Sequence, residues 1–356
     1  MKQSFEPPRV VVIATTLAAI MITGFIYLKK SKSRRTQREV FEELKIPTKW
    51  TKVGEVGELI LYPLKGARRK CLEEAEFTKI GLREIGTVNE NKLALQDRVF
   101  VVYNDKNEFV SLKKNSKMLK VEVSAASEST VRFTFPEEED LIIEIPGNND
   151  NTSDLHFYYG EKVKAIDCGP KAAVWFSHVL EGKTDGLRLG CFVESLLPPR
   201  SLQGAFEKQL AVYPKMHGEY LGAFSDMASY MLMSEGSLND LNGRLDRPVS
   251  EHNFRPNILV KGCPAFSEDS WDWVRIGEDV VLRGFKYCTR CVVTTINPDT
   301  IEKDINIEPL RTLRTYRQVK EPELKKVEGN SPVMGLYLGC HRTGTVKLRD
   351  PVYVAV

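Results

Sequence analysis

Cysteine and histidine are scarce in this sequence: seven Cys and five His stand among 356 residues. The cysteines are scattered and odd in number, so they suggest no disulfide framework, which is typical of a reducing compartment. The histidines form no paired motif and there is only one C-x-x-C. A structural zinc site built on that motif would lack half of its ligands and is therefore disfavoured.

An excess of charge of one sign is also missing. Fifty-one Lys and Arg face 48 Asp and Glu, and the net charge of +3 is too small for a general nucleic-acid binder, so we expect no nucleic-acid partner. Hydrophobic residues make up 42% and charged residues 28%, as in an ordinary globular protein. The length predicts two domains, and no internal repeat is visible.

One long apolar run lies near the N-terminus. Residues Val10–Leu28 carry no charge, and at about 1.5 Å per residue they just cross a hydrocarbon core about 30 Å thick. Because six Lys and Arg follow between positions 29 and 38, a spanning anchor is favoured over a cleaved signal peptide. We therefore predict a tail at 1–9, an anchor at 10–28 and a basic linker at 29–50, with everything after the basic cluster in the cytosol.

The rest of the chain predicts an α+β fold that is mainly β. Residues 51–185 form the first predicted domain, with an amphipathic helix at Pro170–Leu180. Its predicted strands include Gly57–Leu64, a hairpin at Arg98–Leu112 around an Asn-Asp-Lys-Asn turn, Leu119–Val123, Thr130–Phe135 and Leu141–Ile145.

Residues 186–356 form the second predicted domain. A near capping box starts a short helix at Ser237–Leu245. Short strands surround it at regular spacing and favour an antiparallel, barrel-like domain. They are Ile258–Val260, Asp279–Phe285, Cys291–Ile296, Met334–Leu338, Thr345–Leu348 and Val352–Val356.

The most informative motif is the C-x-x-C of Cys288 and Cys291. Nearby Arg283, Lys286 and Arg290 favour the thiolate, the form that binds a metal or attacks. A thioredoxin-type dithiol would stand at the start of a helix, whereas the β-branched residues after Cys291 favour a strand. Two ordinary, partly buried thiols remain an alternative.

The string C-T-R-C-V-V-T-T-I-N-P-D-T at Cys288–Thr300 resembles the signature of the MOSC family, named after the C-terminal domain of molybdenum-cofactor sulfurases. Other similar motifs occur in the same order, and the match runs from about Val53 to the C-terminus. They lie at Tyr62–Lys65, Ala75–Leu82, Asp97–Arg98, Asn253–Ile258, Glu268–Asp272 and Pro309–Arg317. The resemblance implies a MOSC N-terminal domain followed by a MOSC domain.

The resemblance also implies a molybdenum cofactor, Mo-molybdopterin, with the Cys291 thiolate as metal ligand and Cys288 as a packed thiol. Asp226 would be a catalytic residue beside the metal. The cofactor phosphate needs cations, and the remaining expected contacts are a backbone N–H and polar side chains. These cofactor-binding residues are Lys65, Gly66, Arg98, Asn253, Arg255, Asn257, Thr289, Arg290 and Tyr337. For the two asparagines, orienting the loop around Arg255 is an equal alternative.

By the same resemblance, the chain is similar to membrane-anchored reductases of small N-hydroxylated compounds: amidoximes, hydroxylamines and N-oxides. Because no G-x-G-x-x-G motif is present, we do not expect it to take electrons from NADH itself. The resemblance implies cytochrome b5 and its NADH-dependent reductase as donors, and the outer mitochondrial membrane as location, with the endoplasmic reticulum as alternative. A cofactor carrier or sulfur-transfer protein without reductase activity is the competing hypothesis, and a tethered adaptor with a decayed pocket is a third.

Five positions depart from the family pattern. Gly66 replaces a small hydroxyl residue, Met227 and Ala228 replace hydroxyl residues after Asp226, and Asn297 replaces an acid. Ile301 replaces a glycine and is followed by a longer acidic insertion. None of these positions is the expected metal ligand. The departures therefore affect the expected substrate range more than the expected cofactor binding.

Overall fold

Seven strands close into a barrel in the computed structural model, which describes residues 45–86, 92–202, 205–217 and 220–356. Around the barrel the strand order is β15-β14-β18-β17-β16-β20-β1, and β1 pairs back to β15, while β2 extends the sheet beyond β1. The bounds are β1 Trp50–Leu61, β2 Lys70–Leu72, β14 Tyr230–Ser234, β15 Ile258–Lys261, β16 Trp273–Ile276, β17 Val280–Thr289, β18 Val333–Arg342 and β20 Pro351–Ala355.

The barrel is antiparallel apart from one neighbouring pair. Strands β14 and β15 run parallel, with Leu232 opposite Ile258, because the connection between them crosses over through a helix. The predicted mainly-β, barrel-like fold is therefore confirmed with that exception. Strand β1 comes from the start of the described chain and seals the barrel between β15 and β20, which come from the second half.

Smaller sheets surround the barrel. One is four-stranded, in the order β5-β11-β10-β9, two are three-stranded, and one is a short pair. Their strands are β3 Glu74–Phe77, β4 Leu82–Glu84, β5 Phe100–Asn104, β6 Glu122–Ala125, β7 Thr130–Thr134, β8 Leu141–Glu144, β9 Thr152–His156, β10 Lys162–Asp167, β11 Leu187–Cys191, β12 Arg200–Ser201, β13 Leu221–Gly222 and β19 Gly344–Lys347.

The helices are short. The α-helices are α1 Pro170–Glu181, α2 Glu207–Leu210, α3 Glu235–Asn242, α4 Leu310–Tyr316 and α5 Pro322–Glu328. Single 3-10 turns occur at Ser116–Lys120, Tyr158–Gly160, Pro214–His217, Glu251–Asn253, Ser267–Ser270 and Val292–Thr295. The predicted helix at Pro170–Leu180 is confirmed: Pro170 starts it and Gly182, with φ of 69°, ends it.

The predicted strand at Cys291–Ile296 is wrong. Strand β17 ends at Thr289, and Val292–Thr295 forms a 3-10 turn with Cys291 as its N-cap residue. The hydroxyl groups of Thr294 and Thr295 donate to the carbonyl oxygens of Cys291 and Val292 at 2.9 and 2.8 Å. Such local bonds compete with strand pairing, so the turn prevails over the strand propensity of the β-branched residues.

Two other predicted elements shift. The segment Ser116–Lys120 is a 3-10 turn capped by Asn115, so the strand expected at Leu119–Val123 begins only at Glu122. Helix α3 starts at Glu235, two residues before the predicted capping residue Ser237. Its N-cap is Ser234, whose hydroxyl accepts from the Ser237 amide at 3.0 Å.

The anchor predicted at Val10–Leu28 lies outside the described residues, together with the tail and most of the linker. Across the ranges that the structure does describe, no helix is both long and apolar enough to cross a bilayer.

Candidate active site

One cleft collects all the site residues predicted from the sequence. It encloses about 1080 Å³ including its open mouth. The residues lining it include Lys65, Gly66, Arg98, Asp226, Asn253, Arg255, Asn257, Thr289, Arg290, Cys291 and Tyr337. They come from segments up to 272 positions apart, between the end of β1 and the middle of β18. This grouping agrees with a single predicted site.

The two cysteines of the C-x-x-C motif have opposite environments. Cys291 is exposed at the cleft, in the loop that leaves β17, whereas Cys288 is buried at 2% exposure within an apolar cluster that includes Met231, Phe254 and Met334. Burial raises the pKa of the Cys288 thiol. Cys291 is therefore the thiol that a ligand in the cleft can reach, and Cys288 is the packed one.

Opposite these cysteines, the Lys65 ammonium forms an ion pair with Asp226 and donates to the Phe224 carbonyl oxygen at 2.9 Å. The rings of Phe109, Phe157 and Tyr158 lie 5.1 to 5.7 Å from the Lys65 nitrogen. Burial lowers the pKa of Lys65, and Asp226 only partly offsets this effect.

The Asp226 side chain is half exposed. Burial of its inner side raises the pKa, but Lys65, Arg98 and Arg200 outweigh that effect and hold the pKa of Asp226 below its usual value. Asp226 is thus a carboxylate at neutral pH, with its charge directed into the cleft mouth.

Arg98 is held by a buried network beneath the cleft. Its guanidinium pairs with Asp97 and lies 3.4 Å from the Asn257 side-chain oxygen, while the Asn257 amide nitrogen donates to Asp97 at 3.1 Å. Burial lowers the pKa of Arg98, but Asp97 outweighs it and the net shift is upward. Since Asn257 also accepts from the Met231 amide at 3.2 Å, its polar atoms are taken up by protein groups.

Arg255 differs, because one of its nitrogens has no partner. Its Nη1 donates to the Ala67 carbonyl oxygen at 2.9 Å and its guanidinium stacks 4.1 Å from the Tyr62 ring centre. Its Nη2 is buried without a hydrogen-bond partner. Burial, together with Arg98, lowers the pKa of Arg255 to about 10. A buried, unpaired guanidinium nitrogen is costly for the protein alone and fits an anion in the cleft.

Two of the three cleft arginines, Arg98 and Arg255, adopt left-handed backbone conformations, with φ of 50° and 56°. Non-glycine residues seldom do so, and such strain concentrates at functional sites. In each case the backbone is fixed by its neighbours: the Arg98 amide donates to the Tyr62 carbonyl oxygen at 2.7 Å and the Arg255 amide to Glu251 at 3.2 Å.

Arg290 and Asn253 bind the protein's own backbone. Arg290 donates to the Met334 and Phe254 carbonyl oxygens at 2.8 Å each. The Asn253 amide nitrogen donates to the carbonyl oxygens of Thr294 and Ile296 at 3.1 and 3.2 Å. These bonds tie the loop that carries Cys291 to the loop that carries Arg255, so both residues position the cleft walls.

The remaining predicted residues complete the wall. Gly66 has φ of 87°, a conformation that a hydroxyl-bearing residue adopts only with strain.

Tyr337 stands on β18 next to Cys288. Burial is the main cause that raises the pKa of the Tyr337 hydroxyl, and Cys288 adds to it. Met227 and Ala228 line the cleft, whereas Asn297 lies outside it and caps a turn by accepting from the Asp299 amide at 2.9 Å.

Sequence reasoning missed two polar side chains that lie next to Asp226. Tyr158 lines the cleft and faces Asp226 and Cys291, and burial first, then these two groups, raises the pKa of its hydroxyl. Arg200 is buried behind Asp226, donates to the Asp226 carbonyl oxygen at 2.7 Å and lies 3.5 Å from Glu161. Both follow polar or Pro-interrupted segments without a motif, so only three-dimensional proximity reveals them.

The cleft as a whole suits a large anion with a soft metal. Among the described residues, its lining carries five cationic groups, Lys65, Arg98, Lys113, Arg255 and Arg290, against the single carboxylate of Asp226. Nη2 of Arg255 is a donor without a protein partner, and the exposed Cys291 supplies a soft sulfur ligand. A molybdopterin, with one phosphate and one metal, matches this donor set.

Comparison with protein families gives two matches along the chain. Residues 53–183 match the MOSC N-terminal beta barrel domain, and residues 219–353 match the MOSC domain. Together they cover most of the described chain, including every residue predicted for the site.

Characterised relatives are similar over nearly the whole length. Mitochondrial amidoxime-reducing component 1 of Mus musculus is 32% identical over 96% of this chain and 91% of its own length. Component 1 of Homo sapiens is 33% identical over 85% of this chain and 83% of its own length. Mitochondrial amidoxime reducing component 2 of Homo sapiens is 30% identical over 96% and 92%.

Proposed function

The chain belongs to the MOSC-domain family that includes the mitochondrial amidoxime-reducing components, and we propose that it is a molybdenum-cofactor-dependent reductase of N-hydroxylated compounds. MOSC is a molybdenum-cofactor-binding domain, so an oxidoreductase of the amidoxime-reducing type is the expected activity. The observation that carries the proposal is that an exposed Cys291 and an Asp226–Lys65 pair line the same cationic cleft.

In this proposal Cys291 is the protein ligand of the molybdenum, and the free Nη2 of Arg255 binds the cofactor phosphate. When bound, the cofactor supplies the electron pair that cleaves an N–O bond. Lys65 and Arg98 add positive charge around the anionic group, although each already has a carboxylate partner. Arg290 and Asn253 hold the loop that carries Cys291 against the loop that carries Arg255, because their side chains bind backbone carbonyl oxygens.

Reduction of an N–OH group consumes two protons and releases water, so the site needs polar groups beside the substrate. Asp226 stands at the cleft mouth with Lys65 behind it and Tyr158 facing it. We assign Asp226 to orienting the N–OH group, and Tyr158 to donating a hydrogen bond to it. Met227 and Ala228 provide the apolar part of the substrate wall.

For electron supply and location we propose the arrangement that the family resemblance implies. Cytochrome b5, re-reduced by its NADH-dependent reductase, delivers electrons one at a time through a charge-guided complex that weakens with salt. The apolar segment 10–28 anchors the chain in the outer mitochondrial membrane with the cleft in the cytosol. The names of the relatives, which are mitochondrial components, support the organelle.

The test uses the full-length chain, purified with its cofactor. Wild type should contain molybdenum and molybdopterin and should oxidise reduced cytochrome b5 when benzamidoxime is added. Cys291→Ser should lose molybdenum by roughly ten-fold or more, because a hydroxyl is a poor ligand for a soft metal. Cys288→Ala, at the packed thiol, is the matched control and should retain it.

Two outcomes would contradict the proposal. Equal molybdenum content in wild type and Cys291→Ser removes the ligand assignment. Molybdopterin without benzamidoxime turnover favours the competing function, a cofactor carrier or sulfur-transfer protein.

A further inference from the structure

A second group of metal-ligand side chains lies outside the cleft lining. One carboxylate oxygen of Glu58, the sulfur of Cys71 and one ring nitrogen of His252 all lie within 4.8 Å of one another. Glu58 stands on β1 and Cys71 on β2, while His252 belongs to the 3-10 turn Glu251–Asn253. The three side chains therefore come from three separate segments of the chain, and the fold brings them together.

The backbone aims these side chains together. Strand β1 has a bulge between Val56 and Glu58 where it pairs with β15, and bulges redirect the side chain that follows. Cys71 pairs with Ile60 on the other edge of β1. Glu58 and His252 are partly buried and Cys71 is exposed, so a cation reaches the group from solvent on the thiol side.

His252 is arranged as metal-binding histidines usually are. Its Nε2 lies 2.9 Å from the Glu251 carboxylate, and its Nδ1 is buried without a hydrogen-bond partner. A carboxylate that accepts from one ring nitrogen fixes the tautomer and leaves the lone pair of the other nitrogen for a metal. The unpaired Nδ1 is thus explained if a cation occupies the group.

We propose that Glu58, Cys71 and Nδ1 of His252 bind a zinc ion, with Glu251 holding the imidazole and a water molecule as fourth ligand. One thiolate, one imidazole and one carboxylate suit Zn²⁺ in tetrahedral geometry. Binding replaces the S–H bond of Cys71 with an S–Zn bond and releases the proton to solvent, with no change of oxidation state. Arg69 lies near Cys71 and Glu251. Its positive charge opposes the binding of a zinc ion there unless the guanidinium moves away.

The zinc site would stabilise a loop that forms part of the cleft. His252 immediately precedes Asn253, whose side chain binds the backbone of the loop after Cys291. Arg255, with its unpaired Nη2, follows three residues after His252. A zinc ion would link this loop to β1 and β2. Because the ion binds only the folded site, it should raise the melting temperature in a concentration-dependent way.

The experiment is cobalt substitution in the full-length protein, since Co²⁺ bound to thiolate gives a sulfur-to-metal charge-transfer absorption that carboxylate or imidazole ligands do not give. Titration is done in a Cys291→Ser background, so that the cleft thiol cannot contribute. We expect a one-to-one charge-transfer signal that Zn²⁺ displaces.

Cys71→Ser should abolish that signal, and Glu58→Gln and His252→Gln should each weaken Zn²⁺ binding by about ten-fold or more. Cys168→Ser, at a partly exposed thiol just after β10, is the control and should leave the signal unchanged. Absence of the signal, or its persistence in Cys71→Ser, overturns the proposal. Molybdenum content is measured in a separate Cys71→Ser variant that retains Cys291, so failure of the zinc site and failure of the proposed reductase function can be told apart.

Discussion

Lys65 and Asp226, 161 residues apart in the chain, form an ion pair in which the two partners differ sharply in exposure: the Lys65 side chain is 10% exposed and that of Asp226 is 50% exposed. The ammonium is surrounded by three aromatic rings, whereas the carboxylate reaches water. Removing either partner therefore leaves the other in a different environment, and the two substitutions should not be equivalent.

We expect Asp226→Asn to destabilise the protein by about 2 kcal/mol at neutral pH, because it leaves a buried ammonium without its counter-ion. Lys65→Met should cost less, since the freed carboxylate is half hydrated. Urea unfolding of both variants measures the difference. The reverse order, with Lys65→Met the more harmful change, would show that the carboxylate is the group that depends on the pair.

Arg255→Met should separate cofactor binding from stability. The substitution removes a buried guanidinium with one unpaired nitrogen, so the cofactor-free protein should be as stable as wild type or more stable by about 1 kcal/mol. Cofactor retention should fall at the same time, because the phosphate loses its donor. Unfolding of the apo form and pterin content are the two measurements. A loss of apo stability together with unchanged pterin content would contradict both statements.

The composition of the cleft was predictable from motifs, but the use of each residue was not. For Asn253 and Asn257, cofactor contact and loop orientation were equal alternatives, and their side chains bind backbone groups from distant segments, as loop orientation requires. Arg290 was expected as a cofactor contact, and its guanidinium also binds a distant backbone carbonyl. Whether a donor is already occupied depends on three-dimensional neighbours. No spacing in the sequence contains that information.

The fold shows the same division. Alternating patterns predicted strands within β1, β15, β17, β18 and β20 of the barrel, and Pro170 with the apolar spacing after it predicted helix α1, because burial and helix starts act locally. Strands β14 and β16 of the barrel were not predicted. The 3-10 turn after Cys291 was missed, since two threonine hydroxyls outweigh β propensity there. The pairing of β5 with β11, rather than chiefly with its hairpin partner, was missed as well: tertiary contacts decide which strand edges meet.

His341 should make the protein less stable in mild acid. Its ring packs 4.8 Å from Trp273, and burial, with Lys79 and Arg283, lowers the pKa of His341 to about 4. The unfolded chain takes up this proton near pH 6.5 and the folded protein does not, so stability falls as the pH drops from about 6.5 to 4 and then levels off.

Replacement by His341→Phe should remove that component, which we place on the order of 2 kcal/mol because the ring is only partly buried. Chemical unfolding at several pH values in this range measures it. Identical pH slopes in wild type and variant would contradict the assignment.

The two exposed thiols should react before the others. In the protein freed of cofactor and of zinc we expect iodoacetamide to modify the exposed Cys71 and Cys291 about ten-fold faster than Cys288, which is buried. Peptide mass spectrometry at successive times resolves the sites. Loading with the cofactor should protect Cys291 and leave Cys71 reactive; protection of Cys288 instead would mean that the wrong cysteine has been assigned as ligand.

Tyr158→Phe tests a polar side chain of the cleft that no motif revealed. Burial, Asp226 and Cys291 all raise the pKa of the Tyr158 hydroxyl, so it stays protonated at neutral pH and serves as a donor. Removing only the oxygen keeps the ring that packs beside Lys65. We expect kcat for benzamidoxime reduction to fall by roughly 100-fold, the low end of the range for loss of one positioned hydrogen-bond donor.

Molybdenum content and KM should stay close to wild type in this variant, since the hydroxyl binds neither the metal nor the phosphate. A structural role would instead lower stability and cofactor content together. Phe109→Leu, which alters another ring beside Lys65 without removing a donor, is the matched control. If kcat is unchanged in Tyr158→Phe, the protons must reach the substrate by another route, and Asp226, half exposed at the mouth, is then the group that connects the cleft to solvent.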